Sequence, residues 1–592
     1  MIMSAGKMII RRRLITGNGK FPEDLHPVIQ RLYQARKVES ADELNLSLDC
    51  LIVPERLKGI DLAVGLLANA LMHRKRILVV ADFDADGATS CAVALRALRS
   101  LGATNLKYIV PNRFEFGYGL TPEIVRVAAR EKPDVIITVD NGITSVEGVA
   151  EARRLGIDVL VTDHHLPGNV LPAATALVNP NQPDDGFPSK CLAGVGVIFY
   201  VMLALRACLR RMDWFEQEKM AAPNLARLLD LVALGTVADV VPLDYNNRIL
   251  VAQGLKRINQ GMACPGIEAL LRAGGRDPTR VTTADLGFIV GPRLNAAGRL
   301  TDMSLGIECL LADDPAAAQR MARQLDLLNR DRRAIEADMQ SQALLAVQNL
   351  QLGNQSLPRG LCLFDETWHQ GVIGLVASRI KELTHRPVIA FAPSSEREIK
   401  GSARSVTGLH IRDALDAIAA RYPQLLNRFG GHAMAAGLTL IHADLEAFRA
   451  AFNDEVGRHL TEDDCSGKIF SDGPLGAEDL TLALAEQIRA AGPWGQGFPE
   501  PVFDGYFQVL NQRLVAGKHL KLTLRLPDHP TAIDAIVFNS TRHGMPPAYR
   551  RIRTAYKLDV NEYQGHHALQ LIVEHLEQAQ AETTETGAEL AL

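Results

Sequence analysis

The 592-residue chain has little cysteine and no pattern in what it has: eight residues, at positions 50, 91, 191, 208, 264, 309, 362 and 465, form no CxxC pair and no finger-like spacing. Scattered thiols of this kind read as small buried apolar residues in a reducing compartment, which argues against a disulfide scaffold or a zinc finger. Long apolar runs are also missing. No stretch approaches the ~18 uncharged apolar residues needed to cross a bilayer. The opening "MIMSAGKMIIRRRL" sets its arginines after a very short apolar run, the wrong order for a secretory signal. A cytoplasmic location with no membrane contact is therefore expected. Neither sign of charge dominates: 64 Lys and Arg against 68 Asp and Glu leave a formal net charge of −4. Without a bulk basic footprint, a polyanion would have to be met by local patches or by bound metal.

What is present is a chain long enough for three or four domains at ~150 residues each. From about residue 75 to 180, strand-like runs at 77–81, 106–110, 135–139, 158–162 and 175–179 alternate with helix-length amphipathic stretches. That alternation predicts a mainly parallel sheet covered on both faces. A helical part follows over 192–275. Asp314 as N-cap and Pro315 at the first helical position then open a run with almost no breaker until Gly353. A second α/β unit is expected over about 358–455. Beyond it the pattern turns β-rich, and "GKHLKLTLRLPD" sets Leu520, Leu522, Leu524 and Leu526 against His519, Lys521, Thr523 and Arg525. Period two of this kind predicts one buried and one basic strand face.

Each strand of the first unit ends in a polar signature: "DFDADG", "PNR", "DNG" and "DHH" in turn. In an open parallel sheet ligands bind at the carboxyl ends of the strands, so four signatures on consecutive strands point to one place. Asp82, Asp84 and Asp86 have the opening of a calcium loop, but that motif wants a Glu at position twelve, which is Val93, and a helix in front, where a strand stands. An Asp-nucleophile phosphatase also ends a strand in D-x-D, yet leaves His164 and His165 unexplained. Clustered carboxylates with imidazole suit manganese, magnesium or zinc. Asp140 and Asp239 strengthen this, because Asp239 interrupts "LVALGTVADVVPL", which is otherwise free of charge. Two cations bring ~4 positive charges against the crowded aspartates and suit in-line attack on a phosphodiester. No P-loop or Rossmann glycine fingerprint appears, so nucleotide-driven work is not implied.

"DFDADG", "PNR", "VDNG", "TDHH", "TVADVVPL" and "GPRLNAAGR", in that order, resemble the DHH phosphoesterase superfamily. With "SARS" and "GGHAMAAG" downstream and a β-rich C-terminus, the likeness covers about residues 50–575 and extends to those members that degrade single-stranded DNA 5′→3′. The resemblance implies a parallel-sheet DHH catalytic domain joined by a long helix to a second α/β (DHHA1) domain, with a C-terminal OB-like barrel. The expected boundaries are a helical lead-in at 1–60, the catalytic domain at 61–305, the connecting helix at 306–353, the DHHA1 domain at 354–458, the OB-like domain at 459–575 and a disordered tail at 576–592. It implies metal ligands at Asp84, Asp86, Asp140, His164 and Asp239, with Asp82 as an additional candidate, for two Mn2+ or Mg2+ ions. Asp163 would orient a neighbouring histidine, and His165 would contact the scissile phosphate or a metal. Asn112, Arg113, Arg293, Asn295 and Arg299 would hold substrate phosphates. Ser402, Arg404 and His432 would meet the 5′ end, and Lys518, Lys521 and Arg525 would line a single-strand groove.

The implied partners are single-stranded DNA, a helicase and a single-strand-binding protein, with the chain itself a monomer. Two other readings are open. One is a DHH-type phosphodiesterase for short oligonucleotides or cyclic dinucleotides, which the extra ~120 residues after position 460 disfavour by analogy with smaller members. The other is a non-catalytic replication scaffold, which predicts eroded ligands where all are present.

Overall fold

Runs of five residues such as "ILVVA" and "VIITV", with a single threonine between them, offer no alternating polar face to water, so they fold as strands covered on both faces. The computed structural model shows this, describing residues 8–15, 17, 19–112, 119–353, 357–426, 428–527, 529–543, 545–563 and 566–579. The chain divides into two compact units: Ala41–Ala334 with Pro493–Pro499, and Met1–Ser40, Ile335–Gly492 and Glu500–Leu592.

The chain opens with strand β1 (Met8–Arg12), which pairs far downstream in the second of these units. In the first unit, β2 (Ile77–Ala81), β3 (Leu106–Ile109), β4 (Val135–Val139), β5 (Asp158–Thr162) and β6 (Ala176–Val178) form a parallel sheet in the order β3-β2-β4-β5-β6. Their bounds lie within a residue of the sequence reading. Helix α1 (Ala85–Ser100) leaves β2 at once, and Asp84 caps it by accepting from the Asp86 and Gly87 N–H groups, both at 3.0 Å. It packs with α2 (Gly194–Arg211) and α3 (Leu229–Ala238). All three belong to one large apolar core with the inward residues of the sheet. Helix α4 (Gly291–Leu300) carries the "GPRLNAAGR" motif.

Helix α5 (Pro315–Gly353) runs 39 residues, about 58 Å at 1.5 Å per residue. Asp314 caps it as expected, accepting from the Ala316 and Ala317 N–H groups at 3.1 and 3.0 Å.

In the second unit, β7 (Leu361–Phe364), β8 (Val388–Pro393), β9 (Glu398–Arg404), β10 (Arg428–Gly431) and β11 (Ala435–Ile441) form a mixed sheet ordered β10-β11-β9-β8-β7. Only β7 and β8 run parallel within it. Strand β12 (Gly467–Ser471) pairs with β1 in parallel. A closed barrel follows, from β13 (Phe503–Val515), β14 (His519–Arg525), β15 (Ala532–Val537), β16 (Arg551–Tyr563) and β17 (His566–Gln578), ordered β13-β14-β15-β17-β16. Leu520, Leu522 and Leu524 turn into the barrel and are buried, as the period-two pattern predicts.

Two expectations differ. Residues 1–60 are not a helical lead-in: they hold β1, one helix at Pro27–Ala35 and three short 3-10 turns. "MIIRR" gains a ladder partner in β12, and Pro22, Pro27 and Pro54 interrupt any longer helix. Of the disordered tail expected at 576–592, residues 576–578 belong to β17, and 580–592 lie outside the described residues.

Candidate metal centre and the motifs around it

The carboxyl ends of β2, β4 and β5 bring Asp82, Asp84, Asp86, Asp140, His164 and His165 together, and the end of α3 adds Asp239. Three overlapping donor groups result: Asp140 with His164 and His165, Asp86 with His164 and Asp239, and Asp82 with Asp84 and Asp140. Within each group the ligand atoms lie inside 4.8 Å of one another. His164 Nε2 is 3.2 Å from Asp140 Oδ1, 3.4 Å from Asp239 Oδ2 and 3.9 Å from Asp86 Oδ2.

The fold holds these groups against their mutual repulsion. Asp86 is buried, and its two oxygens accept from the Gly194 and Val195 N–H groups at 2.6 and 2.9 Å, at the N-terminus of α2. The positive end of a helix dipole favours a carboxylate there. Gly194 is required by this approach, since a Cβ on it would sit 2.6 Å from the Asp140 Cβ. Asp140 adopts φ 62°, a left-handed conformation that Asp and Asn tolerate better than most residues.

Burial and repulsion nevertheless leave a mark. Burial, then Asp84, pushes the Asp86 carboxyl up to about 7. Burial, then Asp86 and Asp84, raises both Asp140 and Asp239. Asp239 stands at the C-cap of α3, the negative end of a helix, where a second negative charge is disfavoured. Carboxylates arranged this way lack internal positive charge. Their oxygens with one imidazole form a donor set suited to hard or borderline divalent cations, and the residues present fit such ions.

Asp163 lies fully buried beneath the cluster. Its Oδ1 accepts from the His164 and His165 N–H groups at 2.7 and 3.1 Å and lies 2.7 Å from His165 Nδ1. Its Oδ2 accepts from the Ile143 N–H at 2.9 Å. Burial alone would raise this carboxyl, but the His165 bond and both histidines hold it below its usual range. Burial alone would lower His165. The Asp163 bond and the surrounding carboxylates outweigh it and raise the imidazole to about 9.

The "GPRLNAAGR" helix backs the Asp82–Asp86 loop. Asn295 Oδ1 accepts from the Ala85 N–H at 2.8 Å, and a Cβ on Gly298 would meet the Phe83 carbonyl oxygen at 1.9 Å. Arg293 donates to Asp326 and to the Ile289 carbonyl, so a phosphate would compete with both. The structure thus gives the Arg293 guanidinium and the Asn295 side-chain oxygen internal partners. Arg299 is half-buried on the last turn of α4. Asn112 is exposed after β3, and Arg113 lies outside the described residues.

In the second unit, Arg404 donates to Ser402 Oγ at 3.0 Å near the end of β9, and burial lowers its pKa. Ala435 pairs with Arg404 across the sheet, which brings the exposed His432 turn alongside. On the barrel, Lys518 precedes β14, Lys521 pairs with Asp534 at 2.7 Å, and Arg525 donates to Gln508 at 2.7 Å.

Sequence reasoning missed several groups. Asn179 and Asn181 donate to the His165 and His164 carbonyls at 2.9 and 2.6 Å and fix the histidine loop from beyond β6. Asn141, buried, donates to the Val80 and Val139 carbonyls and ties β2 to β4. The "VNPN" at the end of the fifth strand is a polar signature of the same kind as the other four, a signal by which the first two could have been found.

Comparison with known proteins agrees with this arrangement. Residues 76–236 match the DHH family, N-terminal domain; residues 357–458 match the DHHA1 domain; residues 471–575 match the RecJ OB domain. A single-stranded-DNA-specific exonuclease RecJ from Dickeya dadantii (strain 3937) is 53% identical over 566 residues, covering 95% of this chain and 98% of that one. The crystal structure of RecJ in complex with Mn2+ from Thermus thermophilus matches with TM-score 0.77 and 30% identity, over 97% of this chain and 80% of that one. The Mg2+ complex from the same organism matches with TM-score 0.72 and 28% identity, over 97% and 79%. With more than half its residues shared with a RecJ along nearly the whole of both chains, this chain belongs to the RecJ family.

Proposed function

We propose that the chain is a metal-dependent exonuclease that degrades single-stranded DNA 5′→3′ to 5′-mononucleotides, acting in DNA repair and recombination. One observation carries this reading: the carboxylate and imidazole groups gathered at the ends of β2, β4, β5 and α3, in a chain of the RecJ family. The short-oligonucleotide or cyclic-dinucleotide reading and the scaffold reading are not favoured. The likeness to named single-stranded-DNA exonucleases spans nearly the full chain, barrel included, and the donor set is complete.

Asp84, Asp86, Asp140, His164 and Asp239, with Asp82 beside them, would hold two divalent cations, Mn2+ or Mg2+, the ions named in the related structures. When bound, such ions supply Lewis acidity: they lower the pKa of water and stabilise charge building on phosphodiester oxygens. The chain's own groups do the rest. Asp163 fixes the His165 ring, and that imidazole meets the scissile phosphate or a metal. Arg299, with Asn112 and Arg113, takes neighbouring phosphates, while Arg293 and Asn295 act by positioning. In the DHHA1 domain Ser402, Arg404 and His432 meet the 5′ end. On the barrel Lys518, Lys521 and Arg525 meet the strand backbone. Contacts of these kinds carry no base information, so little sequence preference follows.

The division of labour follows the boundaries expected from sequence for the catalytic, DHHA1 and OB domains. The chain works as a cytoplasmic monomer on single strands exposed by a helicase and covered by a single-strand-binding protein. No helix of the described residues is long and apolar enough to cross a membrane.

The test is degradation of single-stranded DNA labelled at one end or the other, beside blunt duplex, with Mn2+ and with a chelator. Release of label from the 5′ end, only with metal and only from single strands, is expected. Digestion beginning at the 3′ end, or equal digestion of duplex, would overturn the reading.

A further inference from the structure

In sequence the arginine run Arg11–Arg13 argues only against a secretory signal, yet in the structure it borders two half-exposed aromatic rings. On the outer face of β13, Tyr506 is 53% exposed, although its neighbours Phe503 and Phe507 are buried inside the barrel. Arg553, opposite it on β16, holds its guanidinium 5.9 Å from the ring centroid. Arg12 is bidentate to Asp504, which stands two residues earlier on the same strand and therefore on the same face as Tyr506. On the β1–β12 pair, Phe470 is 46% exposed. Arg11 is its register partner, and the Arg13 guanidinium lies 5.5 Å from its centroid.

Each exposed ring is therefore flanked by two arginines. Carboxylates cancel part of this charge: buried Asp504 pairs with Arg12, buried Asp472 is shared by Arg36 and by Arg13 at 3.5 Å, and exposed Glu577 lies 3.5 Å from Arg553. Three carboxylates thus stand against Arg11, Arg12, Arg13, Arg36 and Arg553. From Tyr506 the positive strip continues to Gln508, which lies between its register partners Arg525 on β14 and Arg551 on β16.

A large aromatic left half in water costs hydrophobic free energy that folding could have recovered. Guanidinium groups placed around such a ring suit a ligand that offers both a flat π-face and a regular negative charge. Unpaired nucleotides offer both, and stacking on aromatics tolerates any base. An acidic peptide would use the arginines and leave the rings idle.

We infer that Tyr506 and Phe470 are base-stacking platforms of a single-strand site built from β13, β16 and the N-terminal β1–β12 pair, with Arg11, Arg12, Arg13 and Arg553 meeting the phosphates. This rests on the single-strand reading above and extends it from the Lys518, Lys521 and Arg525 row, which it meets at Arg525, across β13 and β16, and it assigns the N-terminal strand to nucleic-acid binding.

The test uses the full chain with chelator present, so that nothing is cut, and a fluorescent 30-nucleotide single strand read by anisotropy. Tyr506→Ala and Phe470→Ala should each raise Kd about tenfold, within the range of one lost base stack. Tyr506→Phe should keep wild-type affinity. Arg11→Gln, an exposed change that leaves the fold decision to other residues, should lower the salt slope of log K by about 0.7, one phosphate contact. Wild-type Kd in both alanine variants with an unchanged slope in Arg11→Gln would overturn the inference, as would a loss confined to acidic peptides. If an alanine variant melts early, Arg11→Gln decides. Wild-type protein that binds the strand but never cuts it with Mn2+ removes the exonuclease reading and leaves this site standing. Protein that cuts while all variants bind normally removes this site alone.

Discussion

Asn295 is the residue to which the family resemblance and the structure assign different jobs, through different atoms of its side chain. The resemblance implies a contact with substrate phosphate. The structure spends its side-chain carbonyl on the Ala85 N–H, at 2.8 Å, in the first turn of the helix that carries Asp86. That N–H is one of the donors a helix start leaves without an intrahelical acceptor. Asn295→Ala therefore strands a part-buried donor, at a cost of about 1–3 kcal/mol, and loosens the loop from Asp82 to Asp86. Loss of a group that orients metal ligands typically costs 10–100-fold in metal affinity or activity. The assay is single-strand degradation titrated separately in Mn2+ and in DNA. The variant should need about 10–100 times more Mn2+ for half-maximal rate, while KM for DNA at saturating metal stays within about twofold. A raised KM for DNA with an unchanged metal requirement would refute the positioning argument and restore the phosphate contact.

Three further outcomes are expected. Asp84→Ala and His164→Ala should abolish cleavage while circular dichroism shows the fold retained; measurable turnover in either would remove that residue from the ligand set. Gly298→Val should destabilise the first unit by at least the 1–3 kcal/mol typical of overpacking, because its Cβ would meet a backbone oxygen at 1.9 Å; denaturant unfolding at wild-type midpoint would contradict the close approach. Asp472→Ala removes one partner of a buried pair, Arg36 with Asp472 at 3.0 Å, and should cost about 3–5 kcal/mol in denaturant unfolding; a loss below about 1 kcal/mol would mean the arginine finds water or another acceptor.

The parallel sheet was legible because its inner strands are covered on both faces and leave mainly apolar runs, and five strand-like segments recur in that stretch. The barrel strand at 519–525 was legible for the opposite reason, one face wet and one dry. The first sixty residues were not legible. "MIIRR" is too short to show a period, and its partner Gly467–Ser471 is more than 450 residues away, so nothing local marks it as a strand. The arginines that follow it therefore look, in sequence, like a terminus rather than the edge of a nucleic-acid surface.

The metal centre divides along the same line. Asp84, Asp86, Asp140 and His164 could be found because polar signatures close successive strands of one sheet, and Asp239 because it interrupts an apolar segment, where an unpaired carboxylate needs a reason. The groups that aim them carry no such mark. Asn179, Asn181 and Asn295 each act through a single bond to a main-chain atom, and the chain supplies main-chain atoms everywhere. Gly194 acts through the absence of a side chain 54 residues from the aspartate it makes room for. The resemblance assigns Asp163 to orienting a histidine, but only the fold chooses which: its side chain turns to His165 Nδ1, leaving His164 to face Asp86, Asp140 and Asp239. That choice separates the two histidines chemically. One points a ring nitrogen among carboxylates; the other has its Nδ1 held by Asp163. Two adjacent letters that look alike in sequence acquire different work from one buried carboxylate beneath them.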